Sequence, residues 1–313
     1  MHVNQTIFSR MQIPLRKEEV PSAVRSDTHV HVRLLYFYCS GCQTLPMEPL
    51  EQDVRRFLQK HHIRLNKDLG QHFLVDQEIL NVIVDAAGME EDDHIVEIGP
   101  GIGILTRELL KRAGTVTAIE IDERLLPLLQ DFTTPTETPF EILHSNALQV
   151  EFPKTPYKIV ANIPYHITSP LLRHAFLESK TPPQSLTLLM QREVAEKIVD
   201  TKNTGILTIL VALFGVPTML GVVAPNAFLP PPEVDSAILH IESHKKPLAD
   251  AKTIDKVLSF VKIAFSGKRK MLRNTIGRFQ GGMELLSAAS VAADRRPQTL
   301  SVQEWITLAK KAK

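Results

Sequence analysis

Glu97-Ile98-Gly99-Pro100-Gly101-Ile102-Gly103 decides the fold. The stretch ends a short apolar run, residues 94–98, and opens a helical pattern over residues 104–113. A glycine-rich turn between strand and helix lets backbone approach a ligand closely. Its spacing is G-x-G-x-G. Dinucleotide binders use G-x-G-x-x-G, so a nicotinamide dehydrogenase is disfavoured. A second strand pattern, residues 115–121, carries Glu120 near its end, with Asp122 just beyond. Glu120 lies 17 residues past Gly103, about where an acidic group reaches the two hydroxyls of a ribose.

Two strands further on stands Asn162-Ile163-Pro164-Tyr165, after a short apolar run at residues 158–161. In open α/β sheets the carboxyl ends of strands are where ligands bind. An amide, a carbonyl and a ring in a row suit a planar base with an exocyclic amine. The Asn162 oxygen and the carbonyl of Ile163 or Pro164 can accept the two N–H bonds, and Tyr165 can stack on the base. The amine lone pair is then left facing an electrophile.

The same alternation runs through most of the chain. Strands are expected at residues 94–98, 115–121, 140–144, 158–161, 185–191, 218–223 and 236–242, with helices in most of the gaps. That pattern is a doubly wound α/β sheet of seven strands. Residues 47–244 form this domain, opened by an amphipathic helix at 50–61. A polar linker at 245–250 leads to a helical C-terminal domain, residues 251–313, with helices expected at 253–265, 270–279, 282–289 and 301–310. Residues 1–46 have mixed charge, scattered prolines and no sustained period. They read as a poorly ordered extension or a mis-assigned start, Met47 being the plainer beginning. A transit segment sits badly with Glu18, Glu19 and Asp27.

Composition bounds the function. The 313 residues are 43% hydrophobic, enough for a buried core. The longest uncharged stretch, residues 203–232, is long enough to span a membrane, but Gly215-Val216-Pro217 splits it into a buried helix and a central strand. Cys39 and Cys42 are the only cysteines, too few for a zinc site, and read as incidental thiols of a reducing compartment. His61, His62, His144 and His166 show no ligand spacing, so no metal is expected. The net charge of +1 says nothing about nucleic acid, but its distribution does. Arg55, Arg56, Lys60, Arg64 and Lys67 fall in one acid-free run, and Lys262, Lys268, Arg269, Lys270, Arg273 and Arg278 in another. Two such runs flanking a base-binding site suit a phosphate track.

The glycine turn, Glu120 and the 162–165 tetrapeptide together resemble the S-adenosylmethionine-dependent amino-methyltransferases. Further motifs narrow this to the KsgA-type ribosomal RNA adenine dimethyltransferases. Asp68-Leu69-Gly70-Gln71-His72-Phe73-Leu74-Val75-Asp76 is similar to their N-terminal cofactor-capping motif. Residues 228–237, Phe-Leu-Pro-Pro-Pro-Glu-Val-Asp-Ser-Ala, resemble their late loop-plus-strand motif. Residues 265–274 resemble the basic helix that opens their C-terminal domain, and residues 296–301 their terminal segment.

The resemblance implies a seven-stranded methyltransferase fold with an antiparallel last strand. It implies methyl transfer to N6 of two adjacent adenines in a hairpin loop near the 3′ end of 16S ribosomal RNA, late in 30S assembly, by a cytoplasmic monomer. Asn162, Pro164 and Tyr165 would grip the adenine, and Phe228, before three prolines, would cover its other face. His72, Leu74, Gly99, Gly101, Gly103, Glu120, Ile121, Asn146 and Asn162 would hold S-adenosylmethionine. The family usually has Asp where Asn146 stands and often Asn where His72 stands. Arg55, Arg56, Lys67, Lys268, Arg269, Lys270 and Arg273 would bind RNA. A 23S ribosomal RNA methyltransferase of the macrolide-resistance type is the nearest alternative. A non-catalytic nucleic-acid-binding assembly or transcription factor on the same fold is the other.

Overall fold

The computed structural model describes residues 49–63, 71–267 and 269–312. The expectations for residues 1–46, Cys39, Cys42, Lys67 and Lys268 therefore lie outside the described residues. The strands in chain order are β1 (Phe73–Leu74), β2 (His94–Ile98), β3 (Thr115–Glu120), β4 (Phe140–His144), β5 (Lys158–Asn162), β6 (Ser185–Gln191), β7 (Gly215–Val223), β8 (Phe228–Leu229) and β9 (Ser236–Ser243). The α-helices are α1 (Pro49–Lys60), α2 (Gln77–Ala86), α3 (Ile104–Leu109), α4 (Leu126–Thr133), α5 (Thr168–Arg173), α6 (Arg192–Val199), α7 (Ile206–Phe214), α8 (Ala251–Phe265), α9 (Gly282–Ala288) and α10 (Val302–Lys311).

Seven strands form one sheet in the order β4-β3-β2-β5-β6-β9-β7. The strands from β4 to β6 run parallel, and β9 runs against both of its neighbours. Alternate residues serve opposite faces, as the two-residue period of a strand requires. Ile159 and Ala161 of β5 join one apolar core, and Val160 between them joins the other. The first core is closed by residues of α5, α7, α8 and α10, the second by residues of α1, α2 and α3. A sheet covered on both faces explains why β5 and β6 read as nearly continuous apolar runs. β4, at the edge, is correspondingly half-exposed.

The winding places the site. The chain enters the sheet at β2, steps outward through β3 and β4, then returns to the other side of β2 as β5. The reversal between β2 and β5 leaves a crevice at the carboxyl ends of the strands.

Four details depart from the sequence reading. Residues 218–223 are not central: they belong to β7, which is the sheet's edge and extends back to Gly215. An edge tolerates Pro217, which cannot donate to a ladder. Residues 270–279 are not one helix but two 3-10 turns, Leu272–Asn274 and Ile276–Arg278. Thr275 between them sits at φ −126°, ψ −87°, and the N–H groups of Leu272 and Arg273 bond the carbonyls of Arg295 and Ala293 instead. The helix expected in the gap after β5 does not stay α throughout: α5 runs on into a π segment at His174–Glu178. The antiparallel pair β1·β8 is additional; two-residue strands carry no readable period.

The C-terminal helices share the first core. Val257, Val261, Trp305 and Leu308 pack in the same cluster as Ile209 and Leu213 of α7. The Thr204 hydroxyl donates across to the carbonyls of Gln298 and Leu300, both at 3.2 Å.

Candidate active site

The crevice is a cavity of about 340 Å³ at the carboxyl ends of β2, β3, β4 and β5, closed from one side by residues 71–74. Each wall follows from a local sequence device. After β2 the chain must turn sharply into α3, and Gly99, Gly101 and Gly103 all take positive φ to do so. At Gly101 an added Cβ would lie 2.7 Å from the Phe73 ring, so only glycine lets β1 close over this loop.

Glu120 ends β3 with its carboxylate turned back onto that loop. One oxygen accepts the Gly101 N–H at 3.1 Å, and the other accepts the N–H groups of Ile121 and Asp122, both at 2.8 Å. Burial raises its pKa above the usual carboxylate range, and the three amides oppose that rise. Asp122 next to it is held below the usual range, chiefly by Arg124, which grips both its oxygens at 2.6 and 2.8 Å. Asp122 also accepts from Gln71 at 2.9 Å and so ties the covering segment to the end of β3. Ile121, 59% exposed, leaves an apolar side chain at the rim of the cavity.

After β5 come Asn162, Pro164 and Tyr165. The Asn162 amide nitrogen donates to the His72 carbonyl at 3.0 Å, which leaves its oxygen as an acceptor with no hydrogen-bond partner among the described residues. The Pro164 carbonyl accepts from Ile167 N–H at 3.1 Å and keeps a second lone pair. The Tyr165 hydroxyl bonds the Ser236 hydroxyl at 2.7 Å. Burial raises its pKa above that of an ordinary phenol, and the Ser236 hydrogen bond opposes the rise. The His72 ring, anchored by Nδ1 donating to the Pro230 carbonyl at 2.8 Å, lies nearly parallel to the Tyr165 ring, with centroids 6.3 Å apart. Asn146 lines the wall after β4, its oxygen accepting the Leu148 N–H at 3.0 Å.

Of the residues expected at the site, His72, Leu74, Gly99, Gly101, Glu120, Ile121, Asn146, Asn162, Pro164 and Tyr165 line this one cavity. Gly103 does not: its Cα faces Leu129 and Thr133 of α4, and its service is to close packing between helices. Phe228 does not either. It is 4% exposed on β8, opposite Leu74 of β1, and fills the second core. Its ring is therefore not a free cover for a base.

Sequence reading gave Glu97 no role of its own. It is the one acid of β2, 1% exposed, and lines the cavity with its Oε2 lacking any hydrogen-bond partner among the described residues. Burial pushes its pKa up to about 8, with the Thr106 hydroxyl opposing the rise and the charge of Glu120 adding to it. An acid inside an otherwise apolar buried strand was the available signal.

The basic residues divide. Arg55 and Arg56 are exposed on α1 but paired along the helix with Glu51 (2.6 Å) and Asp53. Arg269, Lys270 and Arg273 are exposed and in no ion pair among the described residues. No group of three or more histidine, cysteine or acidic side chains could hold a metal among the described residues. No helix there is long and apolar enough to cross a membrane.

Comparison with known proteins agrees with this geometry. The family model for ribosomal RNA adenine dimethylase matches residues 62–313. The chain belongs to the ribosomal RNA adenine dimethylase family. A Dehalococcoides mccartyi protein named ribosomal RNA small subunit methyltransferase A is 38% identical over 267 residues, covering 82% of this chain and 91% of that protein. The protein of the same name from Alkaliphilus oremlandii is 36% identical, covering 82% and 94%. Among solved structures, a dimethyladenosine transferase from Plasmodium falciparum matches with TM-score 0.66 and 27% identity over 76% of this chain and 96% of that one. The 23S rRNA methyltransferase ErmE matches with TM-score 0.64 and 28% identity over 76% and 98%. Membership makes the chain a methyltransferase, and this family and fold imply dependence on S-adenosylmethionine.

Proposed function

We propose that the chain dimethylates N6 of two adjacent adenines in a hairpin loop near the 3′ end of small-subunit ribosomal RNA, within immature subunits. One observation carries the reading. The switch-point crevice brings the free Asn162 oxygen, the Pro164 carbonyl and the Tyr165 ring into one cavity with the glycine turn and Glu120.

The cavity suits S-adenosylmethionine on its donor set. Glu120 offers a carboxylate for paired hydroxyls, Ile121 an apolar rim for a flat ring, and Glu97 a buried acceptor for a cation. When bound, that cofactor supplies a methyl group on a positively charged sulfur. The protein's part is positioning. Asn162 Oδ1 and the Pro164 carbonyl accept the amine's two N–H bonds and fix the direction of its lone pair. Their dipoles also stabilise the positive charge that grows on the amine as the methyl arrives. Tyr165 stacks on the base and keeps it out of its helix, at an extrusion cost of a few kcal/mol, less in a loop. No side chain needs to act as nucleophile. Residues 47–244 supply this chemistry, and the exposed cations from residue 251 onward hold the RNA.

Methyl transfer from labelled cofactor to small subunits purified from a strain lacking the modification tests the reading. Label should map to two neighbouring adenines near the 3′ end. Label entering only large-subunit RNA would favour the 23S alternative, and RNA binding without transfer would favour the non-catalytic one.

Asn146 gives a narrower expectation. Its amide can accept a cofactor amine only as a neutral partner, through an oxygen already holding the Leu148 N–H. Asn146→Asp should tighten cofactor binding several-fold by calorimetry, since charge-assisted hydrogen bonds are roughly twice as strong. An unchanged affinity would remove Asn146 from the cofactor contacts.

A further inference from the structure

The turn between α8 and α9 carries a side chain that the fold does not use. Phe279 is 56% exposed and is the one aromatic among the exposed large hydrophobic side chains of the described residues. No ring or cation partners it there. Over half of its surface stays in water, and that part adds nothing to the fold.

Two 3-10 turns lead up to it, and their side chains alternate in fate. Leu272 and Ile276 are buried anchors, 0% and 1% exposed, in the core shared with α8 and α10. Arg273, Asn274, Arg278 and Phe279 all face solvent. The Gly282 N–H bonds the Phe279 carbonyl at 2.8 Å, which closes the turn beneath the ring. Met283, 47% exposed, lies over Gly277 of the same turn. The sequence on either side of the ring is strongly basic. From Lys262 to Ala293 the chain carries Lys262, Lys268, Arg269, Lys270, Arg273 and Arg278 against a single acid, Glu284. Neither Arg273 nor Arg278 is in an ion pair among the described residues.

An exposed apolar ring at the end of a turn that also exposes two arginines, neither in an ion pair among the described residues, fits one partner chemistry. Every nucleobase offers a π-face for stacking, and its flanking phosphates offer charge to arginine. A protein partner would want a broader apolar area, and a duplex exposes no face for the ring. We propose that Phe279, with the exposed Arg273 and Arg278 of the turn that leads to it, is a stacking platform for an unpaired base of the RNA substrate, separate from the cavity that holds the target adenine. The proposal rests on the RNA-methylating function argued above. It adds a second single-stranded contact that helps to fix which RNA segment the enzyme grips.

Two readouts on the full chain test it. In anisotropy titrations with a short single-stranded RNA and with its duplex, Phe279→Ala should weaken single-strand binding about tenfold, the scale of one lost stacking contact. Duplex binding should be unchanged. Phe279→Trp should restore the affinity. Arg278→Gln should instead lower the slope of log affinity against log salt by about one, and Phe279→Ala should leave that slope alone. In methyl transfer to immature small subunits, Phe279→Ala should raise KM about tenfold, with kcat and cofactor affinity held.

Equal loss on single strand and duplex, failure of tryptophan to rescue, or no loss in either variant would overturn the platform. So would a change in self-association on Phe279→Ala with RNA affinity intact, since the patch would then face a second copy. Failure of the wild-type chain to methylate any ribosomal RNA would sink the functional reading alone, because the oligonucleotide titrations judge the platform independently.

Discussion

Asn162→Ala is expected to lower kcat for methyl transfer about a thousandfold and to change cofactor affinity only a few-fold. The size follows from what the side chain does. Its nitrogen is committed to the His72 carbonyl at 3.0 Å, so its oxygen is one of two acceptors available to the incoming amine. The other is the second lone pair of the Pro164 carbonyl. A preorganised group aimed at developing charge is worth roughly 3–4 kcal/mol, judged by removal of one oxyanion-hole donor. An amine held by one acceptor can also rotate, and its lone pair leaves the line of attack. The His72 contact gives the same substitution a structural side effect, because it unties residues 71–74 from the end of β5. The two effects separate in the measurement. A loosened lid raises the cofactor Kd and the RNA KM, and a lost acceptor lowers kcat with both near their wild-type values. A variant with full kcat would exclude Asn162 from the chemistry, whatever its effect on binding.

Much of this site is legible in the sequence because it follows from strand ends. Gly99, Gly101, Glu120, Asn146, Asn162 and Tyr165 are each within a few residues of the end of a parallel strand. Once the apolar runs are read as neighbouring strands, their ends must meet on one side of the sheet. What escaped has physical causes of three kinds. Phe228 reads as a loop ring beside prolines, yet it is buried in the second core, on a strand paired with β1 where Leu74 stands opposite it. That contact spans more than a hundred and fifty residues and leaves no local trace. Arg55 and Arg56 read as part of a free basic run because no acid lies within that run. Helical geometry brings Glu51 and Asp53, one turn earlier, onto the same cations. Residues 270–279 have enough helix-forming side chains to read as a helix, yet the backbone of Leu272 and Arg273 finds its partners in Arg295 and Ala293. Tertiary hydrogen bonds then override local preference.

Glu97→Gln should make the protein more stable near neutral pH, by an amount that grows with pH. In the fold the carboxyl's pKa is pushed up to about 8, against 4.5 for an ordinary glutamate. Between those values the folded chain holds a proton that the unfolded chain has released. Stability therefore falls as pH rises from the unfolded value to the folded one, at roughly 1.4 kcal/mol per pH unit, and is level beyond. Glutamine does not titrate. The variant should match the wild type below about pH 4.5 and exceed it by roughly 3 kcal/mol at pH 7, a Tm gain of several degrees. Its amide also needs a partner in the same buried place, so the slope of the difference against pH is the deciding quantity, not its absolute size. A difference that stays flat from pH 5 to 8 would mean the carboxyl is already ionised and paired in solution. Cofactor should read the same proton from the other side. A cation reaching the orphaned Oε2 favours the ionised form, so binding near pH 7 should release close to one proton in the wild type and none from this site in Glu97→Gln. Calorimetry in two buffers of different ionisation enthalpy counts that proton. The same carboxyl that lowers stability in the empty fold would then be the group that makes the cavity selective for a positively charged ligand.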